Sequence, residues 1–386
     1  MHKFLVCLLC VTLLVSACGG RPAATQRPLP PIGASPAPTP TSLPVTPTII
    51  LAPPTTPARA LSPMPPTPTS AAEPLPPLAP ITLANAKGVQ LLKTLRIPDF
   101  AVSSLSQCSV DFSPDGKMLS GVCYKSTAPV WDVSSGRLLF SLVKSPVQAV
   151  AVSFSPDGKM IAMGDYTGGI GLYDTATGEL LRTFNTLPSA VWELDFGPRG
   201  DKLASASFYS GMHLWDIASG GQLWNYGEKD KLRVLSVNYH PTGETIAYGT
   251  LSNGVMIVDA KTGQPIKNLP IAAPVGDVAF SPDGRWLAAG SDDNKIRLWR
   301  TADYELAKTL EGHAHYVNGV TFSPDASLLV SGSHDKTVGI WDVQSGRLVK
   351  WLEGHEGVVL RVAVNSAGTL IASISWDGTV RLWGIA

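Results

Sequence analysis

Charge is scarce in this chain. Asp, Glu, Lys and Arg make up 16% of its 386 residues, and 30 basic side chains are matched by 30 acidic ones. With so little charge and with 36 Gly and 33 Pro, it is neither a coiled coil nor a helical array, which need charged faces and few helix breakers. Without a basic excess to neutralise phosphates, nucleic acid is not an expected partner. Phosphate-cradling glycine loops and a strained nucleophile turn are absent from the sequence. His313 and His315 stand close together, yet no Cys or carboxylate cluster accompanies them as a metal site would require. No catalysis, cofactor or metal is therefore expected. The apolar run from Phe4 to Ala17 covers fourteen residues, short of the twenty or so that cross a bilayer.

That run has the length of a signal-peptide core and follows a basic start, Met1-His2-Lys3. It ends in Leu14-Val15-Ser16-Ala17-Cys18-Gly19, which resembles the lipobox of bacterial lipoproteins. The resemblance implies cleavage before Cys18 and acylation of that residue, with residues 1–17 as the signal. Several acyl chains give stable membrane attachment where one is marginal. The expected location is the outer face of a bacterial membrane, after export and lipid anchoring. An ordinary secretory signal with a chance cysteine is the plainer alternative.

Prolines are unevenly spread. Residues 21–80 hold 20 of the 33, with only Arg21, Arg27, Arg59 and Glu73 as charges. Such sequence favours extended polyproline II and cannot build a packed core. Residues 18–80 are read as a stalk, at about 3.1 Å per residue a spacer of more than ~100 Å. The remainder, 81–386, carries a net charge of −3.

The back of the chain is periodic. FSPDG occurs at 112–116, 154–158 and 280–284, with weaker copies at 196–200, 239–243, 322–326 and 364–368. About twenty residues after each comes a second marker: Trp131-Asp132, Tyr173-Asp174, Trp215-Asp216, Val258-Asp259, Trp299-Arg300, Trp341-Asp342 and Trp383-Gly384. Successive markers are 41 to 43 residues apart. Each unit parses into four short strands, as in 317–350, where alternating VNGVTF, then SLLVSGS, VGIWD and RLVKWL are separated by turn residues. Glycines after Ser or Thr (Gly136, Gly178, Gly220, Gly263, Gly346) suit a turn position with positive φ. One four-stranded sheet cannot bury both faces; seven around an axis can. The expected fold is all-β, a seven-bladed propeller.

Gly312-His313 with Trp341-Asp342, and Gly354-His355 with Trp383, resemble the WD-repeat family over about 300 residues. The resemblance specifies fold more than function. It implies ring closure by an N-terminal strand. Residues 88–96 look like the outer strands GELLRTF and GRLVKWL, so they are expected beside 380–383 in the last blade. It also implies structural tetrads: His313, Asp335 and Trp341 with Ser331 or Ser333, and His355, Asp377 and Trp383 with Ser373 or Ser375. Blade five keeps Ser291, Asp293 and Trp299 without a His; Lys125, Thr167, Tyr209 and Ser252 replace the Asp in blades one to four.

In the family, the residue before the tetrad Asp lies at the rim of the top face. The equivalents are Tyr124, Tyr166, Phe208, Leu251, Asp292, His334 and Trp376. The start of each inner strand adds Gln148, Trp192, Arg233, Tyr316, Asn318, Val358 and Leu360. Clustered Trp, Tyr and Arg are what binding hot spots use. The expected partner surface is Tyr124, Tyr166, Trp192, Phe208, Arg233, Tyr316, His334 and Trp376, binding a protein or peptide; packing inside the loops is the competing role. An exported hydrolase or lyase would instead need converging carboxylates at the central channel, and the sequence shows only scattered ones. Cys108 and Cys123 fall near each other across a hairpin, open either to a disulfide in an exported domain or to two buried thiols.

Overall fold

A computed structural model describes residues 74–386, except 99, 101–106, 125–126, 144–147 and 185–186. The signal sequence, Cys18, residues 18–73 of the stalk and Lys125 lie outside the described residues. The chain forms seven four-stranded antiparallel sheets. Their strands, innermost to outermost, are termed a to d. Blade six illustrates all of them: a, Val317–Phe322; b, Leu328–Ser333; c, Val338–Asp342; d, Leu348–Leu352.

Local chemistry sets the turns. At the a–b turn Ser323 donates to Asp325 (2.5 Å) and accepts the Leu328 N–H (3.0 Å). Ser113, Ser155 and Ser281 repeat this with Asp115, Asp157 and Asp283. At the c–d turn the Asp after the indole is the cap: Asp132 accepts from the Ser135 N–H and hydroxyl, and Asp216 from those of Ser219. The turn then passes through Gly136, Gly178, Gly220, Gly263 and Gly346, all at φ between +71° and +73°. A side chain there would be strained and would also collide. A Cβ on Gly136 would lie 2.8 Å from Lys93 Cδ of blade seven, whose ammonium donates to Ser134 O and Ser135 O of blade one.

Apolar side chains on the two faces of each sheet meet those of the neighbouring blades. They form seven buried clusters, one per blade interface, closing with Leu119, Trp131, Leu370 and Leu382 between blades one and seven. The ring is latched by strand Gln90–Arg96, which pairs antiparallel with Thr379–Gly384 as the outer strand of blade seven (Leu91 opposite Trp383, Thr94 opposite Arg381).

Two features depart from what composition suggests. Leu75 and Leu78, inside the stretch assigned to the stalk, pack against the cluster between blades seven and one. The lead-in chain bonds to bottom-side turns, through Leu75 N–H to Ser134 O (2.8 Å) and Ile81 N–H to Gly368 O (2.7 Å). The second feature is in blade one. Blades two to seven each carry a bulge one residue into strand a. Strand a of blade one, Cys108–Phe112, runs in regular register with Met118–Cys123, and at the bulge position Cys108 and Cys123 stand opposite each other in a disulfide.

Candidate functional site

The tetrad residues come together in blades six and seven. Trp341 Nε1–H donates to Ser331 Oγ (2.7 Å), Ser331 lies 2.7 Å from His313 Nε2, and His313 Nδ1 lies 2.8 Å from Asp335 Oδ2. In blade seven Trp383, Ser373, His355 and Asp377 repeat this at 2.8, 2.8 and 2.7 Å. With the indole N–H as donor, the chain of bonds assigns the serine hydroxyl to donate to Nε2 and Nδ1–H to donate to the carboxylate. Burial alone would raise Asp335, but hydrogen bonds from His313 and Thr337 outweigh it and hold the carboxyl well below the ordinary range; Asp377 is held low by His355 and Thr379 in the same way. The hydroxyl partner is therefore Ser331 or Ser373, while Ser333 donates to His315 O. These groups are saturated, with the serines, imidazoles and indoles buried and the carboxylates partly so, which makes them framework.

Blade five departs from the tetrad reading. The position matching Ser331 is Ala289, and Asp293 pairs with Arg297 (2.6 Å) in place of a histidine. Ser291 occupies the place of Ser333, so the hydroxyl retained there is not the one that meets an indole. In blade three Trp215 keeps its bond to Ser205 (2.9 Å), and His213 stacks on the indole from strand c, held by Gln222 and the Ser210 carbonyl.

The top-face candidates of blades two to seven occupy one surface, because each of their b–c corners bonds to the start of its own inner strand. Tyr166, His334 and Trp376 donate their N–H to Gln148 O, Tyr316 O and Val358 O at 2.8, 2.8 and 2.9 Å. The rings gather into three groups. Tyr124 of blade one meets Tyr166 of blade two edge-on at 5.1 Å. Trp192 stacks on Phe208 at 4.3 Å, with Tyr209 edge-on to Phe208 and the Arg233 guanidinium 5.8 and 5.3 Å from the two rings. His315, Tyr316 and His334 form the third, and His334 reaches Trp376 of blade seven at 5.7 Å. Burial and the neighbouring His315 push His334 down to about 4, so it presents a neutral ring at neutral pH. Tyr166 is the most open of the rings, 37% exposed; Trp376 is half-buried against the core between blades seven and one, and Leu360 is buried. Tyr209 and His315 were missed by the sequence reading; each adjoins a named ring, which was the available signal. Blades four and five contribute Leu251 and Asp292 and leave the aromatic arc open. Burial, with the charge of Asp293 beside it, raises Asp292 to about 7.

The central channel holds charges whose convergence the sequence did not reveal. Each strand a turns an unpaired edge to the axis, and side chains of the preceding blade cap it. Asp111 accepts the Phe154 N–H (2.8 Å), Glu193 that of Val237 (3.1 Å), Asp195 that of Tyr239 (2.6 Å), and Asp277 that of Val320 (2.9 Å). Burial raises Asp111 to about 7 and Asp195 to about 8, against the pull of these hydrogen bonds. Among the described residues no group of three His, Cys, Asp or Glu is arranged to hold a metal ion.

Four segments of the chain, 90–132, 263–300, 304–342 and 346–384, match the family profile for WD domain, G-beta repeat. Similar curated proteins include the WD repeat-containing protein SL1-17 of Schistosoma mansoni, 40% identical over 73 residues, 19% of this chain and 24% of that protein. An uncharacterized WD repeat-containing protein of Synechocystis, sll1491, is 30% identical over 89 residues, 22% of this chain and 25% of that one. The human echinoderm microtubule-associated protein-like 2 is 32% identical over 78 residues, 20% and 12% of the two chains. The matches thus span a quarter or less of these relatives.

Proposed function

We propose that this seven-bladed propeller, four segments of which match the WD-repeat profile, is a non-catalytic scaffold that captures a protein or peptide partner on its top face while an N-terminal lipid on Cys18 holds it outside a bacterial membrane. The observation that carries the reading is the gathering of Trp192, Phe208, Tyr209 and Arg233, and of His315, Tyr316, His334 and Trp376, into contact across blade boundaries on one face. Stacked aromatics with an adjacent guanidinium give large contact area for few ordered rotors. The described lead-in chain supports the reading: Leu75 and Ile81 bond to turns on the bottom side of the propeller, opposite the aromatic face.

Channel chemistry is the competing reading, favoured by the convergence of Asp111, Glu193, Asp195 and Asp277. It is the weaker one, since each of these carboxylates already accepts a backbone N–H of the next blade. The test is crosslinked capture from intact cells with the full-length chain. Trp192→Ala/Tyr166→Ala/Tyr316→Ala is expected to lose the partner that the wild type retains, while Leu306→Ala on the outer strand of blade five keeps it. Equal capture by both variants removes the top face from the mechanism. Cys18→Ser is expected to release the protein from membranes, and loss of label from a fatty-acid analogue checks the cause.

A further inference from the structure

The inner strands of blades three, five and seven share a pattern that the tetrads and turns do not explain. At the second paired position of strand a, just past the bulge, they carry Glu193, Asp277 and Arg361. These three are separated by 84 residues each, two blade repeats. At the same position the other blades carry Ser109, Ala151, Ser236 and Gly319. Large charged groups on alternate blades are thus separated by small ones, an arrangement that lets long side chains fill a narrow ring without clashing. Gly319 shows how tight the packing is: a Cβ there would lie 2.9 Å from the Arg361 backbone.

We infer that Arg361 is an internal ligand of the central channel, its guanidinium held by blades three, five and six so that it braces the ring and closes the channel one residue beneath the top face. Nε lies 3.3 Å from Glu193 Oε1 and 4.0 Å from Asp277 Oδ2, and Nη1 donates to Asn318 O at 2.6 Å. Arg361 is 6% exposed and Asp277 5%. A planar guanidinium with several fixed donors suits such a site better than a compact ammonium would. Glu193 directly follows Trp192, and Asn318 lies two residues beyond Tyr316, so the brace underlies both main aromatic groups. A top-face partner therefore meets a closed floor. This inference concerns the channel and stands apart from the capture reading.

Folding of the full chain tests it. Arg361→Ala leaves two buried carboxylates without their cation and is expected to lower Tm by roughly 6–12 °C. Methylguanidinium at about 10 mM should restore at least half of the loss, as a small guanidinium re-entering a preformed site with fixed acceptors, and equal sodium chloride should not. Arg361→Met covers the case in which the alanine variant does not fold. Adding Glu193→Gln and Asp277→Asn to it is expected to recover most of its loss, because deleting a buried charge together with its partners is far milder than deleting one member. A Tm loss under about 2 °C, recovery no better than with sodium chloride, or a triple variant no better than Arg361→Met would each overturn the inference.

Discussion

Blades six and four meet the same packing requirement with opposite chemistry. In blade six the large group is Trp341 on strand c, lying over Gly339 to reach Ser331 on strand b, and the cavity beside it is filled by His313 and Asp335. In blade four the positions of Trp341, Gly339 and Ser331 hold Val258, Met256 and Tyr248. The bulk has moved from strand c to strand b, and both Val258 and Tyr248 are fully buried. A blade therefore needs a filled volume at this place, not a polar network, in line with the tolerance of cores for volume-conserving exchange. What the network adds is a fixed polar arrangement that is costly to break at one point.

Breaking it at one point should give a large effect. Asp377→Ala removes the acceptor of His355 Nδ1–H and of the Glu356 and Thr379 N–H groups. It is expected to destabilise the chain by about 3 kcal/mol, since buried donors are left unmatched. Blade seven is also the blade that latches the ring. Ser252→Ala, at the equivalent corner of blade four, is exposed and should change stability by less than about 0.5 kcal/mol. Denaturant unfolding of the two variants checks the contrast; similar losses would mean that the corner position matters in every blade whatever occupies it.

The same contrast can be sharpened with pH, because the tetrad and channel carboxylates are shifted in opposite directions. Asp335 and Asp377 titrate below the unfolded range, so their contribution is present above about pH 4 and is lost as pH falls further. Asp111 and Asp195, raised to about 7 and about 8, stay protonated in the folded chain where the unfolded chain has ionised. Their contribution is fully present below about pH 4 and declines as pH rises towards 8. Asp195 faces Asp111, Glu193, Asp277, Asn238 and Tyr239. Thermal scans should therefore show one decline below about pH 4 and a separate decline as pH rises from about 4 to 8, levelling off above that. Asp195→Asn is expected to lessen the decline between about pH 4 and 8 and leave the acid one unchanged, keeping an oxygen for the Tyr239 N–H; an unchanged slope over that window would assign the decline to other groups.

Most of the fold was legible because its signals are local. The Ser-Pro-Asp turn, the Asp after the indole and the positive-φ glycine each sit within a few residues of what they shape, and repetition removes ambiguity. The aromatic face was half legible: the family resemblance pointed to a ring at five of the seven b–c corners, but the contacts of Tyr209 and His315 depend on side-chain direction. The channel was illegible for a different reason. Glu193, Asp277 and Arg361 are 84 residues apart and have no motif of their own, so only the inner-strand register places them at one height. The blade-five tetrad was misread for a related cause: Ser291 and Ala289 differ by one step of alternation, and only the pairing decides which of them faces an indole.

The smallest effect isolates volume from polarity in blade four. The Tyr248 hydroxyl is buried and has no hydrogen-bond partner among the described residues, although its ring fills the space that Trp341 and Ser331 fill in blade six. Burial raises its pKa far above the ordinary phenol range, so the group is a neutral, desolvated hydroxyl. Tyr248→Phe keeps the ring and deletes only that unmatched group. An unpaired buried polar group costs stability, and removing it without opening a cavity is neutral or favourable. The variant is therefore expected to be unchanged or stabilised by up to about 1 kcal/mol in denaturant unfolding, where Tyr248→Ala would lose about 3–5 kcal/mol through the cavity. A clear loss in the phenylalanine variant would mean that the hydroxyl is bonded, in solution, to a water or a shifted neighbour, and that blade four too contains a polar network of its own.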